Sequence, residues 1–331
     1  MKIVIDAMGG DNAPEEIIKG TLLAVEEYNV DVIIVGKENI IKKYLDGVQK
    51  NILNKINIVN AEKVIENDDK PVKAIRRKKN SSMVVGMNLV KNKEGDIFIS
   101  AGNTGALLSG GLFIIGRIKG IERPSLAPII PNIIDNSLLL DVGANADCKP
   151  EFLNQFALMG SIYAEKVLKK ENPRIGLINI GTEKTKGSKL YVDTYNLLEN
   201  STLNFVGNIE SRDLLKGKAD VLVCDGFVGN IILKLTEGVT QELMNQIKEQ
   251  LKSSIKGNIA GLMMKDSLKG LKSKFDYNEY GGAPLIGLKA PVIKAHGSSK
   301  RKAFKNAINQ GKIFYESNSV KSIEEKIIEE D

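Results

Sequence analysis

Lys294 and His296 stand two residues apart in an apolar, extended stretch, so both side chains leave the backbone on one face. A cation beside an imidazole, just ahead of a helix start at Ser298 and Ser299, suits phosphate. The alternative is that His296, the chain's single histidine, caps or fills a turn. A second anion site is written into residues 96–117. Residues 97–99 read as the end of a buried strand, Gly102, Asn103, Thr104 and Gly105 as a turn, and the apolar residues after them as a helix. Such a junction gathers backbone N–H groups and the positive end of a helix at one point. Asn103 and Thr104 add side-chain donors, although both are also ordinary helix caps.

These residues need a scaffold that brings strand ends together. Short apolar strands are expected at 2–5, 30–35, 56–59, 97–99, 174–180 and 221–224. Helices are expected at 14–28 with Asn12 as cap, 38–45, 81–91, 150–169 and 300–311. The alternation predicts an α/β fold, a doubly wound, mostly parallel sheet covered on both faces. Residues 125–130 and 137–142 read as an antiparallel or extended insertion, and 106–118 as a buried core helix. Five glycine-containing loops join a strand end to a helix, beginning at Ala7, Ala101, Gly181, Asp225 and Ala295. Ligands bind at the carboxyl ends of such strands. One cleft should therefore collect Asp6, Asp11, Asn103, Thr104, Asn145, Glu183, Lys184, Lys186, Asn230, Lys294 and His296. Singly, each is more often a cap or a surface residue; together they favour a small polar or anionic substrate.

Composition narrows the classes. With 331 residues and 42% hydrophobic content, the chain is long enough for one catalytic unit of two intimately packed lobes over residues 1–331. Residues 317–331 read as a charged, frayed helical tail. The net charge of +6 is spread along the chain with no aromatic-basic stretch, so no nucleic acid partner is expected. Cys148 and Cys224 match no zinc or redox spacing and suit a reducing, cytoplasmic setting. An acid at position 6 comes too early for a signal peptide, and no run nears the roughly 20 apolar residues of a spanning helix. No dinucleotide fingerprint, Walker A loop or nucleophile elbow occurs, so neither a cofactor nor a metal is expected.

Two stretches stand apart from the cleft. Residues 71–79 are strongly basic, which fits a solvated helix face or an anionic partner. Residues 241–275 read as an amphipathic, lysine-rich helix pair broken near 257–261. Leu251, Ile255, Ile259, Leu262, Met263 and Leu268 recur mostly at three- and four-residue steps. That face suits an anionic membrane surface, a dimer interface or acidic protein, or an ordinary core.

The motifs taken in order carry a resemblance. Asp6-Ala-Met-Gly9-Gly10-Asp11, Ser100-Ala-Gly102-Asn103-Thr104-Gly105, Arg123-Pro124 and Asp141-Val-Gly-Ala-Asn145 cover the first half. Asn179-Ile-Gly-Thr-Glu183 with Lys186-Gly187, Asp225-Gly-Phe-Val-Gly-Asn230, Tyr280-Gly-Gly-Ala283 and Lys294-Ala-His296-Gly-Ser298 follow. The set resembles the PlsX family of bacterial phosphate acyltransferases over nearly the whole chain. The resemblance implies an isocitrate/isopropylmalate dehydrogenase-like fold with an amphipathic helical segment. It implies transfer of a long-chain acyl group from acyl carrier protein to inorganic phosphate, giving acyl phosphate for phospholipid synthesis. A homodimer, peripheral association with the cytoplasmic membrane and a downstream glycerol-3-phosphate acyltransferase as partner are implied as well. Lys186, Asn230, Lys294 and His296 become the expected catalytic residues. Asp6, Gly9, Gly10, Asp11, Ser100, Gly102, Asn103, Thr104, Asn145, Glu183 and Lys184 become the expected substrate- and phosphate-binding set. The competing expectations are a metal- and NAD-dependent decarboxylating dehydrogenase of the same fold and a non-enzymatic membrane-surface scaffold.

Overall fold

Two sheets, rather than one, organise the chain in a computed structural model describing residues 1–275 and 279–330. The first sheet runs β3 (Ile56–Asn60), β2 (Asp31–Gly36), β1 (Lys2–Asp6), β4 (Ile97–Ser100), β12 (Val292–Lys294), β11 (Ala283–Ile286) and β5 (Ser125–Leu126). Its first five strands are parallel, and β11 is antiparallel to both neighbours. The second runs β6 (Ile129–Pro131), β7 (Asn136–Leu140), β10 (Val221–Val223), β8 (Ile175–Asn179) and β9 (Phe205–Glu210), with only β6 antiparallel. The expected insertion is where the sheets divide. Ser125 and Leu126 pair with β11 of the first sheet, and Ile129 to Pro131 pair with β7 of the second.

Helices cover both sheets: α1 (Glu15–Tyr28), α2 (Glu38–Leu45), α3 (Lys50–Leu53), α4 (Pro71–Arg77), α5 (Ser82–Lys91), α6 (Thr104–Gly110), α7 (Pro150–Lys166) and α8 (Lys189–Glu199). They are followed by α9 (Gly226–Lys252), α10 (Ile255–Met263), α11 (Lys265–Phe275), α12 (Arg301–Glu316) and α13 (Ser319–Glu330). One apolar core runs through Ile5, Ile34, Ile99, Leu140, Phe156 and Phe304, and so joins strands of both sheets. With few aromatics available, it is built mainly from Ile, Leu, Val and Ala.

Several elements depart from expectation, each for a local reason. Asn12 does not cap α1; its amide donates to the carbonyl of Ser298 at 3.0 Å, and Pro14 occupies the cap. The apolar run 106–118 is not one helix. It leaves α6 at Gly110 and continues as a π-turn, Gly111–Ile115, closed by the Gly116 N–H on the Gly111 carbonyl at 2.8 Å. Gly110 and Gly111 sit against Met87 and Leu288 with no room for a side chain.

The helix that follows β10 runs unbroken past Gly238 as α9, to Lys252. At 27 residues it is about 40 Å long, far longer than the three-residue strand that feeds it. The break beyond it lies at Ser253 and Ser254, not at 257–261, because the Ser254 hydroxyl caps α10 by accepting the Gly257 N–H at 3.0 Å. Gly257 and Gly261 instead face Leu251 and let α9 and α10 close on each other. The tail is docked rather than frayed: Ile323 and Ile327 of α13, four apart, are buried in the core. No helix among the described residues is long and apolar enough to cross a membrane.

Candidate active site

The chain runs β1, β2, β3 outward and returns to place β4 on the other side of β1. This is a topological switch point, and in such sheets the binding crevice lies outside the carboxyl ends of the two strands. Asp6 ends β1 and is fully buried. Its carboxylate accepts the Ser100 hydroxyl at 2.7 Å and the Met8 N–H at 3.1 Å. Burial raises its pKa, and these hydrogen bonds oppose the shift. A Cβ on Gly9 would lie 2.7 Å from the Asp6 carboxylate and 2.8 Å from the Gly102 nitrogen, so only glycine lets the two loops close. Gly10 has φ +107°, against Ala101 and the Gly297 carbonyl. The Asp11 N–H donates to that carbonyl at 2.9 Å. The loops after β1, β4 and β12 thus form one packed wall.

On this wall Lys294 is buried, its ammonium donating to the carbonyls of Ala101 at 3.3 Å and Ala295 at 2.5 Å. Burial lowers its pKa to about 8, with Asp11 opposing and Lys234 adding to the shift. His296 Nδ1 lies 2.8 Å from the Ser298 hydroxyl and accepts the Ser298 N–H at 3.2 Å, which assigns the ring proton to Nε2. Burial lowers its pKa too, so the ring is neutral at neutral pH. Asn103 caps α6 by accepting the Ala106 N–H at 2.9 Å. Its amide donates to the carbonyls of Glu66 and Asn67 at 3.2 and 3.0 Å. Both ends of that side chain are engaged by backbone. Thr104 is exposed at the first turn of α6.

The second sheet repeats the device. Asp141 ends the β7 segment and accepts the N–H groups of Leu126 at 2.8 Å and Asn145 at 2.6 Å. The Asn145 amide and the Ser125 hydroxyl complete its shell at 3.1 and 3.2 Å. Burial raises its pKa to about 6, against the pull of those donors. Asn145 also donates to the Pro124 carbonyl at 2.9 Å, so its amide holds the loop rather than facing open space. Gly226 and Gly229 bring the start of α9 onto this loop, where a Cβ on Gly229 would lie 1.9 Å from the Asp141 carbonyl. Asn230 is thus helical, not part of a loop as its motif suggested, and its exposed side chain lies beside Gly143.

After β8, the Asn179 amide donates to the Lys186 carbonyl at 3.0 Å and that of Asn208 to the Glu183 carbonyl at 2.9 Å. This fixes the loop while Lys186 and Glu183 remain exposed, and Lys186 makes no ion pair among the described residues. Lys184 points elsewhere: its ammonium pairs with Glu199 on α8 and lies 5.6 Å from the Tyr195 ring. The expected set is therefore divided. Asp6, Ser100, Gly9, Gly10, Gly102, Asn103 and Asn145 build the walls, and Lys184 is held outside them. Asp11, Thr104, Lys186, Asn230, Lys294 and His296 stand at or near the strand ends.

Sequence reading missed Lys234 and Glu237. Both lie on α9, at i+4 and i+7 from Asn230, near enough to His296 to bear on its pKa, Lys234 lowering and Glu237 raising it. They pair with each other at 2.8 Å. The helical spacing was the available signal, obscured because residues 225–230 read as a loop.

Lys294 yields a pH test with a definite sign. Its folded pKa lies below its ordinary 10.5, so between about 8 and 10.5 the unfolded chain binds the extra proton. Wild-type stability should therefore gain roughly 3 kcal/mol relative to Lys294→Met as pH rises through that window. Urea unfolding of both proteins across the window reads this out, and a constant difference contradicts the burial of a charged Lys294.

A model of the family described as "Fatty acid synthesis protein" matches residues 1–322. A phosphate acyltransferase of Clostridioides difficile is 52% identical over 328 residues, 99% of this chain and 96% of that protein. A phosphate acyltransferase of Clostridium tetani is 51% identical over 329 residues, 99% of this chain and 98% of its own length. Among solved structures, a phosphotransacetylase from Streptococcus pyogenes superposes with a TM-score of 0.60 at 18% identity, covering 95% of this chain and 94% of that one. That likeness shows a shared fold. From its first strand to its docked tail, the chain belongs to the fatty acid synthesis protein family, the PlsX family that its ordered motifs resemble.

Proposed function

We propose that the chain transfers a long-chain fatty acyl group from the thioester of acyl carrier protein to inorganic phosphate. The carbon–sulfur bond breaks, an acyl–oxygen–phosphorus linkage forms, and the carrier leaves as its free thiol. The observation that carries this reading is that Lys294 and His296 stand at the end of β12 with Lys234 of α9, itself paired with Glu237, near enough to act on both, in a chain of this family. Phosphate is a nucleophile at neutral pH, so the site's task is positioning and charge stabilisation. Lys186, Lys294 and the His296 N–H hold phosphate. Asn230, presented by the first turns of α9, donates to the thioester oxygen as it gains charge. Asp11, Thr104 and Glu183 line the approach. No side chain is acylated on this route.

The membrane segment is part of the same proposal. Ile255, Ile259, Leu262 and Met263 lie on one face of α10 at 58–82% exposure, whereas Leu251 and Leu268 are half-buried. That face suits insertion into a cytoplasmic membrane surface, where an amphiphilic acyl phosphate passes to a downstream glycerol-3-phosphate acyltransferase. The long exposed apolar stripe Phe227, Ile231, Leu235, Val239 and Leu243 on α9 suits a homodimer.

Lys186→Ala and Asn230→Ala should each lower turnover by on the order of a hundredfold. Steady-state rates near wild type in both would remove the assignment, and an acylated side chain trapped by mass spectrometry would refute direct attack. Leu262→Glu with Met263→Glu should release the protein from anionic liposomes while turnover with soluble substrate persists. Unchanged sedimentation with liposomes would return that face to packing.

A further inference from the structure

We propose that the exposed basic face of α4 docks the acidic carrier that delivers the acyl thioester, an inference that rests on the carrier-dependent reading above. Lys70, Lys73, Arg76, Arg77 and Lys79 are all exposed, while Ala74 and Ile75 turn inward to the core. The helix itself contains no acid. Of the basic residues from Lys70 to Lys79, only Lys78 is ion-paired among the described residues, to Asp69 at 2.5 Å. The loop before the helix carries Glu66, Asp68 and Asp69, of which Asp69 is engaged by Lys78 and by the Glu66 N–H. Like charges at three- and four-residue spacing disfavour a helix, so the cluster is not explained by helix stability.

Its place in the fold gives the cluster a use. Pro71 opens α4 directly against Gly105 of α6. The preceding loop is tied to the site wall, since its Glu66 and Asn67 carbonyls accept the Asn103 amide. Asn67 in turn donates to the Asp11 carboxylate at 3.4 Å. The cationic face therefore stands on the rim of the crevice. Arg76 lies 5.8 Å over the ring of Phe113, itself 59% exposed, which places the guanidinium beside an aromatic surface. Lys289, also exposed, lays its stem against Gly116, three residues beyond Phe113. A protein bringing a tethered thioester into the crevice must seat on this rim, and an acidic one is steered and oriented by these charges. The face fits protein better than lipid. Apart from Phe113, its only exposed large apolar side chain is Val72, whereas four such residues share one face of α10.

The test uses the full-length triple variant Lys73→Glu, Arg76→Glu, Arg77→Glu with long-chain acyl-acyl carrier protein as donor. The KM for the carrier should rise about tenfold or more and its salt dependence should shrink. The kcat at saturating carrier and the KM for phosphate should stay within about twofold of wild type, which also reports an intact fold. An unchanged carrier KM overturns the proposal. A matching fall in kcat, or a weakened phosphate KM, also overturns it by placing the effect inside the crevice. Loss of binding to phosphatidylglycerol vesicles with an unchanged carrier KM would assign the face to lipid instead. Absence of carrier-dependent turnover in the wild-type protein would remove the carrier reading itself, an outcome separate from any property of the variant.

Discussion

Two buried carboxylates at strand ends, satisfied by hydrogen bonds rather than ion pairs, hold the cleft together. Asp6 binds the Ser100 hydroxyl and the Met8 N–H, and Asp141 binds Ser125, Leu126 and both nitrogens of Asn145. A buried charge is tolerable only when such donors replace water. Each acid therefore dictates where two loops must lie. Asp6 fastens the β1 loop to the β4 loop, and Asp141 fastens the β7 loop to the strand crossing between sheets. Glycines at 9, 226 and 229 are required because those loops then pass within contact distance of backbone. The walls consequently stand in place before any substrate arrives, which is the condition for electrostatic catalysis.

Onto these walls the fold adds positive charge, Lys234 being paired with Glu237 and Lys294 being opposed by Asp11 and Asp6. Lys294 is buried with backbone carbonyls as its partners, and Lys234 and Lys294 each hold down the pKa of His296. Mutual repulsion of this kind is relieved by an anion, which accords with the phosphate reading. Asn230 enters from the other sheet on α9, whose first turn is fixed by Asp225 accepting the Val228 N–H at 2.9 Å and the Tyr191 hydroxyl at 2.7 Å. Lys294 and Asn230 are thereby supplied by different sheets.

Much of this was legible in the sequence because buried parallel strands write themselves as short apolar runs closed by glycine. The bounds of α2 and the starts of β4 and β8 follow from that pattern to within a residue. The division into two sheets was not legible, since it depends on the pairing of Ser125 and Leu126 with a strand some 160 residues later. Long-range partners also hid side-chain directions. Lys184 is turned outward by Glu199, and Asn103 is engaged by carbonyls of the 66–69 loop, neither visible in a local motif. The docked tail was misread because its many charges outweighed the four-residue spacing of Ile323 and Ile327. Family membership, by contrast, was carried by the order of the motifs rather than by any one of them.

The central claim is that phosphate, not water or a protein side chain, takes the acyl group from its carrier. Phosphorus NMR of the purified protein with acyl-acyl carrier protein, with and without inorganic phosphate, tests this most directly. The account predicts an acyl phosphate resonance that grows in step with release of carrier thiol, and no thiol release when phosphate is omitted. Thiol release at the same rate without phosphate, or with no acyl phosphate formed, would contradict it.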